Sequence, residues 1–324
     1  MIILALDSLD HLEPVLKAEP DAIVLGIKSL SSRCHALADP DRLASWVDFF
    51  HERNIQVYLN AQALIEQSLL ELIRHDFFKA LEAGVDAIYV ADDGYIALAD
   101  QVDTPLDSLK DEPSSRHKLI MQPETLICSG QDAQFYLDQG LLGVSLSHEL
   151  TEKEILQAAA DATHPEGLEV LAAGYYTWME SRRPLIENYL RYIRHSDQFE
   201  EGKIYTIREM MRPARLPIWQ DEKGVHILAD TPRQISLAAR PLAKAGIGRF
   251  RIDAFGLSNE WGADMVRAYR QLLNIEDSKR SESEASLDQN DPDGQYQQVL
   301  KQTGPGNLPL EERLLIKEKH HGKN

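Results

Sequence analysis

Cysteine is scarce in this chain: two residues in 324, Cys34 and Cys128. They lie far apart and form no CxxC, which excludes a disulfide framework and any sequence-local zinc or redox motif. Basic charge is also in short supply. Against 52 Asp and Glu there are 34 Lys and Arg, a formal net charge of -18, and such a field repels phosphate backbones and anionic membranes alike. A polyanionic partner must therefore be met by a local patch. No apolar run approaches the roughly 18 to 20 residues that cross a bilayer. The opening MIILALDSLD lacks the basic stretch of a secretory leader, and its apolar run stops at Asp7. These absences imply a reducing, cytoplasmic setting without a membrane. Also missing are a GxGxxG after the first strand, a P-loop, GxSxG and HExxH, the local signatures of dinucleotide binding, nucleotide hydrolysis, serine hydrolysis and zinc peptidases.

What is present is a regular alternation, carried by a chain that is 43% hydrophobic. Eight short β-rich apolar runs recur at 2–6, 22–26, 55–59, 87–91, 118–121, 143–147, 168–172 and 249–254, separated by stretches with helical spacing such as Leu69, Leu72, Ile73, Phe77, Ala80 and Leu81. HERN, EAGVD and KAGIG precede the third, fourth and eighth runs, each placing a helix-closing residue just before a strand. Near-continuous apolar strands imply a sheet covered on both faces, and eight βα units predict a TIM-like (β/α)8 barrel, whose usual size is about 250 residues. A doubly wound open sheet is the alternative.

One crossover breaks the rhythm. The seventh and eighth strands are separated by an insertion of about residues 174–246, far longer than an ordinary connection. Within it LPIWQDEKGVHILAD (216–230) reads as a hairpin around DEKG, followed by a helix in RQISLAARPLAKAG. The barrel domain is thus expected over 1–274. Residues 275–324 are polar and charged, a composition of disordered tails, with a short amphipathic helix in LPLEERLLIKEKHH. The closing His pair reads as a solvated tail end, not a metal site.

In parallel barrels chemistry gathers where strands end at their carboxyl side. Those ends supply Asp7, Ser8, Lys28, Arg33, Gln62, Glu66, Asp92, Asp93, Gln122, Glu124, His148, Glu149, Arg182, Arg183 and Asp253. Asp7, Asp92 and Asp93 suit N-caps of the following helices, and Thr151 with Glu154 suits a capping box. Glu124, His148, Glu149, Arg183 and Asp253 are the candidate catalytic groups; His148 as a base or ligand beside Glu124 or Glu149 is weighed against a structural histidine. No metal site is expected. Arg33, Gln62, Ser181, Arg182, Tyr189 and Arg251 are candidate substrate-binding residues. Between Arg182 and Arg215 eight basic side chains face five acidic ones, a reversal of the overall charge that suits base stacking and phosphate grip. A solvated helix face with arginines paired to Glu187 and Glu209 explains it equally well. If Arg183 is buried, Glu124 or Asp253 is the expected counter-ion.

Four segments together, DAIVLG…SSRCH, GVSLSHELTEKEI, LEVLAAGYYTWMESRRPLIENY and AGIGRFRIDAFG…MVRAYRQLL, resemble the peptidase U32 family, the collagenase-like proteins, over residues 1 to about 274. The chain looks most like the shorter members that in many bacteria occur as two neighbouring paralogues linked to 5-hydroxylation of the tRNA wobble uridine. Relatives act in oxygen-independent hydroxylation of tRNA, ribosomal RNA or the quinone precursor, several with an iron–sulfur cluster on four cysteines. Here the family's VHGALC reads Ala173, Gly174, Tyr175, Tyr176, Thr177, and its Ser-Gly-Arg-Cys run reads Ser181, Arg182, Arg183, Pro184. The cysteines are gone, no Cys follows Cys128, and the usual KIEGR is RIDAF. Arg33, Glu124, Glu149, Ser181, Arg183 and Tyr189 match the family pattern. The resemblance implies no cofactor, since such a cluster needs four thiolates. It implies a divergent, non-catalytic partner in wobble-uridine hydroxylation beside a cysteine-bearing U32 paralogue; the basic segment 182–215, by its own charge, is the candidate contact for tRNA. A peptidase using a rim acid and a pure assembly protein are the alternatives.

Overall fold

The computed structural model describes residues 1–102, 114–195, 199–208 and 214–274. The expected tail over 275–324 and its terminal helix lie outside the described residues, as do Arg212 and Glu209 of the basic segment. The described chain divides into two compact units, one holding Met1–Gly174 and the stretch from Arg233 onward, the other Tyr175–Pro232.

In the first unit, strands β1 (Ile2–Ala5), β2 (Ala22–Gly26), β3 (Gln56–Ala61), β4 (Ala87–Val90), β5 (Leu119–Met121), β6 (Gly143–Ser145) and β7 (Leu168–Gly174) run parallel in sequence order. Strands β8 (Thr177–Ser181), β9 (Tyr205–Arg208), β10 (Arg215–Asp221), β11 (Gly224–Leu228) and β12 (Arg233–Gln234) intervene before β13 (Arg249–Asp253) slots between β7 and β1. Since β7 also pairs with β6, the eight parallel strands close into a barrel, as the apolar runs predict. The open-sheet alternative is overturned by that closure. Strand β12 adds one short antiparallel pairing, Arg233 to Gly174.

The strands read as apolar runs because both faces are covered. Inside the barrel Ile3, Ala22, Val24, Tyr58, Ala87, Tyr89 and Ile120 form one cluster. The small Ala22 and Ala87 leave room for the Tyr58 and Tyr89 rings, whose centroids lie 6.0 Å apart. Outside, helices α1 (Glu13–Ala18), α2 (Leu43–His51), α3 (Leu70–Glu82), α4 (Gly94–Val102), α5 (Gly130–Leu137) and α6 (Glu152–Asp161) follow strands β1 to β6 in turn. Each buries one stripe, Ile73, Phe77 and Ala80 in α3. The loops into β3 and β4 turn through left-handed residues, Asn54 at φ 57° and Gly84 at φ 82°, the helix-ending conformation that the sequence signals. Thr151 and Glu154 form the expected capping box of α6.

The second unit is a four-stranded antiparallel sheet in the order β8-β11-β10-β9 with helix α7 (Leu185–Tyr192) on it. Ile186 and Leu190 of α7 pack with Tyr205, Ile218 and Val225, and Ile186 N donates to Gln220 Oε1 at 2.8 Å. The expected hairpin is β10 and β11, its turn held by Asp221 Oδ1, which accepts from Lys223 N at 2.8 Å and Gly224 N at 3.1 Å. After Pro232 the chain returns to the barrel unit through helix α8 (Ser236–Lys244), β13 and helix α9 (Asn259–Asn274).

Candidate functional site

Strand β13 sets the site. Its alternation puts Arg249, Arg251 and Asp253 on one face and Phe250 and Ile252 on the other. The charged face points into the barrel, where Arg251 Nε donates to Glu169 Oε1 at 3.1 Å and Arg251 Nη1 to Asp253 Oδ2 at 3.2 Å. Glu169 is fully buried and its second oxygen accepts from the Tyr89 hydroxyl at 2.5 Å. The chain can leave β7 beside Asp253 because residue 174 is glycine. Its φ is 133°, and a Cβ there would stand 2.5 Å from the Asp253 carbonyl oxygen.

Toward the carboxyl ends of the strands the network widens. Arg33, in the loop after β2, donates through Nη2 to Asp253 Oδ2 at 3.0 Å and to Glu124 Oε1 at 3.5 Å. Glu124, after β5, also faces His148 Nδ1 at 3.4 Å and Gln122 Nε2 at 3.4 Å. Asn60 at the end of β3 donates to Gln62 Oε1 at 3.0 Å, and Gln62 Nε2 donates to the Gln122 carbonyl at 3.4 Å. Arg33 and Glu124 both hold left-handed backbone, φ 49° and 58°, a costly conformation for side chains with a Cβ and one that clusters at functional sites. Arg33, Cys34, Asn60, Gln62, Tyr89, Arg251, Asp253 and Phe255 line a cavity of about 20 Å³, room for about one water molecule.

The electrostatics lock the charges in place. Burial works against ionisation of Glu124, but the Arg33 charge and the hydrogen bond from His148 outweigh it and hold the carboxyl well below the usual range. Burial likewise opposes the charges of Arg33 and Arg251, yet Asp253 and Glu124 for the one, and Glu169 and Asp253 for the other, push both guanidinium values up. Burial and then the Asp253 charge push the Cys34 thiol up to about 12, so it is no nucleophile at neutral pH. Glu124 is a fixed anion there and cannot serve as a general acid. The pair with chemistry left to it is His148 with Glu124, an imidazole oriented by a carboxylate.

Of the residues read from the sequence, Arg33, Gln62, Glu124, His148, Arg251 and Asp253 come together at this mouth. Glu149 is exposed; its backbone N–H donates to Ser147 Oγ at 3.2 Å. Ser181, Arg182, Arg183 and Tyr189 belong to the second unit, where Arg182, Arg183 and Tyr189 are exposed. Arg183 is exposed, so the condition for its pairing with Glu124 or Asp253 is not met; both carboxylates are paired with Arg33, and Asp253 also with Arg251. Asp92 accepts from Gly94 N at 2.7 Å at the start of α4, as a cap should. Asp7 does not cap a helix, because α1 begins only at Glu13; it accepts from Gly256 N at 2.8 Å and faces His35 Nδ1 at 3.2 Å. Glu169, Tyr89 and Asn60 are site residues that the strand-end reading misses. An acid inside the buried run LEVLA is the available signal, since a buried carboxylate requires a cation or hydrogen-bond donors.

The iron–sulfur cluster that the resemblance implies for several relatives does not fit the residues present. Cys34 lines the mouth cavity and Cys128 is exposed, two thiols where four are needed. Among the described residues no group of three or more His, Cys, Asp or Glu is arranged to hold a metal ion, and no helix is long and apolar enough to cross a membrane.

Comparison with known proteins bears on the same segments. The chain is 24% identical over 276 residues to tRNA hydroxylation protein P2 of Bacillus subtilis (strain 168), covering 84% of this chain and 85% of that one. Among solved structures, the U32 peptidase Mk0906 is 14% identical with a TM-score of 0.45, over 79% of this chain and 93% of its own. The C-terminal domain of a putative chitinase from Desulfitobacterium hafniense DCB-2 is 9% identical with a TM-score of 0.40, over 84% and 99%. The profile of peptidase family U32 matches residues 7–303, and with that match running through the barrel, the second unit and the mouth residues, the chain belongs to peptidase family U32.

Proposed function

We propose that this chain is a cluster-free, non-catalytic partner in hydroxylation of the tRNA wobble uridine, working beside a cysteine-bearing U32 paralogue and contacting tRNA through the basic segment 182–215. The observation that carries the reading is the locked mouth. Its carboxylates are engaged by Arg33 and Arg251, its one thiol is pushed up to about 12, and its cavity holds about 20 Å³. A relative whose name places it in tRNA hydroxylation supports the pathway. Support for the surface comes from the second unit, where Arg182, Arg183, Arg191, Arg208 and Arg215 are exposed with Tyr189 at 37% and Tyr192 at 85% exposure. Such rings stack on bases while arginines grip phosphates.

The test changes Arg182, Arg183 and Arg191 together to Ala. Exposed charges contribute little to stability, so the fold should survive while tRNA affinity falls, with the salt slope of binding reduced by roughly 0.7 for each single-strand phosphate that an arginine no longer neutralises. If the surface instead meets the paralogue, co-purification with it disappears and the tRNA isotherm is unchanged. A triple variant that keeps both interactions overturns the reading of the surface. Restoration of wobble hydroxylation by this chain alone, in cells lacking every cysteine-bearing U32 protein, would overturn the non-catalytic role.

A second reading rests on the pair of buried His148 with half-buried Glu124, which suits a hydrolase using an oriented imidazole. Peptide cleavage by the purified chain that is abolished by His148→Ala would establish it.

A further inference from the structure

Arg33 and Cys34 line the mouth cavity and, with the partly exposed His35, form a three-residue tip whose flanks are pinned by hydrogen bonds. On one side Ser31 Oγ donates to the Asn60 carbonyl at 2.6 Å, Ser32 N donates to Asn60 Oδ1 at 3.3 Å, and Asn60 Nδ2 donates back to the Ser32 carbonyl at 3.1 Å. On the other side Gly26 N donates to the Ala36 carbonyl at 2.9 Å and Ala38 N to the Gly26 carbonyl at 2.8 Å. Between these anchors the His35 carbonyl accepts from Leu37 N at 2.8 Å, and side chains draw the tip down. Arg33 reaches Asp253 and Glu124 at 3.0 and 3.5 Å and lies 5.6 Å from the Phe255 ring centre. His35 faces Asp7 at 3.2 Å, with its ring centre 4.4 Å from that of Phe255.

Two features mark this closed form as one held against resistance. Both ends of the Arg33–Glu124 pair, at φ 49° and 58°, sit on backbone that side-chain-bearing residues avoid. That pair is also long for a charge-assisted hydrogen bond, whose usual length is about 2.7 to 2.9 Å. Beneath the tip the cavity admits about one water molecule, and the polar groups of its walls are held by one another and by the buried carboxylates, Asn60 on Gln62, Tyr89 on Glu169 and Arg251 on Asp253.

We propose that Arg33, Cys34 and His35 form a hinged cap at the barrel mouth, latched by Arg33 on Asp253 and Glu124, which must swing out before anything larger than water reaches Arg251. The hinges are the anchored neighbours Ser32 and Ala36. This inference concerns the barrel unit alone and stands whether or not the chain acts on tRNA.

Cys34 is a built-in reporter of the cap. It lines the cavity, is only partly exposed and keeps its thiol protonated at neutral pH, whereas Cys128 is exposed and serves as the internal reference. Titration of the full chain with 5,5′-dithiobis(2-nitrobenzoate) should give one fast thiol and one slow one. Opening of three residues exposes little surface, so the slow rate should be nearly flat with urea below the unfolding transition, whereas exposure by global unfolding would rise with the full denaturant slope. Arg33→Lys and Glu124→Gln should each speed the slow thiol by roughly tenfold, leaving the fast one unchanged. Urea midpoints of the two variants identify any that has lost its fold, and in that case the urea dependence of the unaltered protein still decides. Equal reactivity of Cys34 and Cys128 overturns the cap, as does a slow rate that climbs with urea like global unfolding. Folded variants whose slow rate does not change overturn the latch.

Discussion

Replacing Arg251 by Met tests whether the buried ion network organises the barrel interior. Arg251 and Glu169 side chains are 6% and 0% exposed and 3.1 Å apart. Removing the cation leaves Glu169 with the Tyr89 hydroxyl as its partner, while Asp253 keeps Arg33 and the Phe255 N–H. Breaking a buried pair from one side costs about 3 to 5 kcal/mol. In a domain of this size each kcal/mol moves Tm by roughly 2 to 4 °C, so the expected drop is roughly 6 to 20 °C. Glu169→Met should cost less, because Arg251 retains Asp253 at 3.2 Å. The double change removes both charges and leaves mainly the Tyr89 hydroxyl unpaired, about 1 to 3 kcal/mol, so it should be more stable than Arg251→Met alone. Urea midpoints at constant slope supply the four corners of the cycle. A loss under about 1 kcal/mol for Arg251→Met, or a double variant as unstable as the sum of the singles, would refute the argument.

Glu124 makes the protein acid-sensitive in a defined direction. Its folded-state value is depressed, burial being outweighed by Arg33 and His148, so its contribution is complete above the ordinary glutamate value of about 4.3 and fades as pH falls below it. Glu124→Gln should flatten the fall in urea midpoint between about pH 5 and 3, and identical pH slopes for the two proteins would count against the assignment. Gly174→Ala should destabilise the barrel by more than about 1 kcal/mol, since its φ is 133° and the new Cβ would meet the Asp253 carbonyl at 2.5 Å; an unchanged thermal midpoint would show that β7 can shift away.

The barrel was legible because its strands are covered on both faces. Ala22–Gly26 and Ala87–Val90 are buried at every position, and continuous burial writes itself as an apolar run bounded by turn residues. The hairpin of β10 and β11 was legible for a different reason: Asp221 and Gly224 supply the turn chemistry directly. Strand β8 was not. Its residues Trp178, Met179 and Glu180 are exposed on a strand at the edge of the small sheet, so neither alternation nor an apolar run marks it. Strand β12 is two residues long, too short for any period to register. The Asp7 error has the same origin. A short acid after a strand looks like a helix cap, but the chain from Asp7 to Leu12 does not enter a helix, and the acceptor finds the Gly256 N–H 249 residues away.

The site was half legible, and the missing half is partner choice. Period-two reading of RFRID places Arg249, Arg251 and Asp253 on one face, and because Phe250 and Ile252 are buried on the opposite face, the charged face must look into the barrel. Charges there require counter-ions from neighbouring strands; β7 lies alongside and offers Glu169. What no period encodes is the reach of a loop. Arg33 arrives at Asp253 with its backbone at φ 49° between segments pinned by Asn60 and Gly26. In the second unit Arg182, Arg183 and Arg191 are exposed. In a chain of net charge -18, these exposed arginines and the exposed Tyr189 and Tyr192 are the local patch on which the proposed tRNA contact rests.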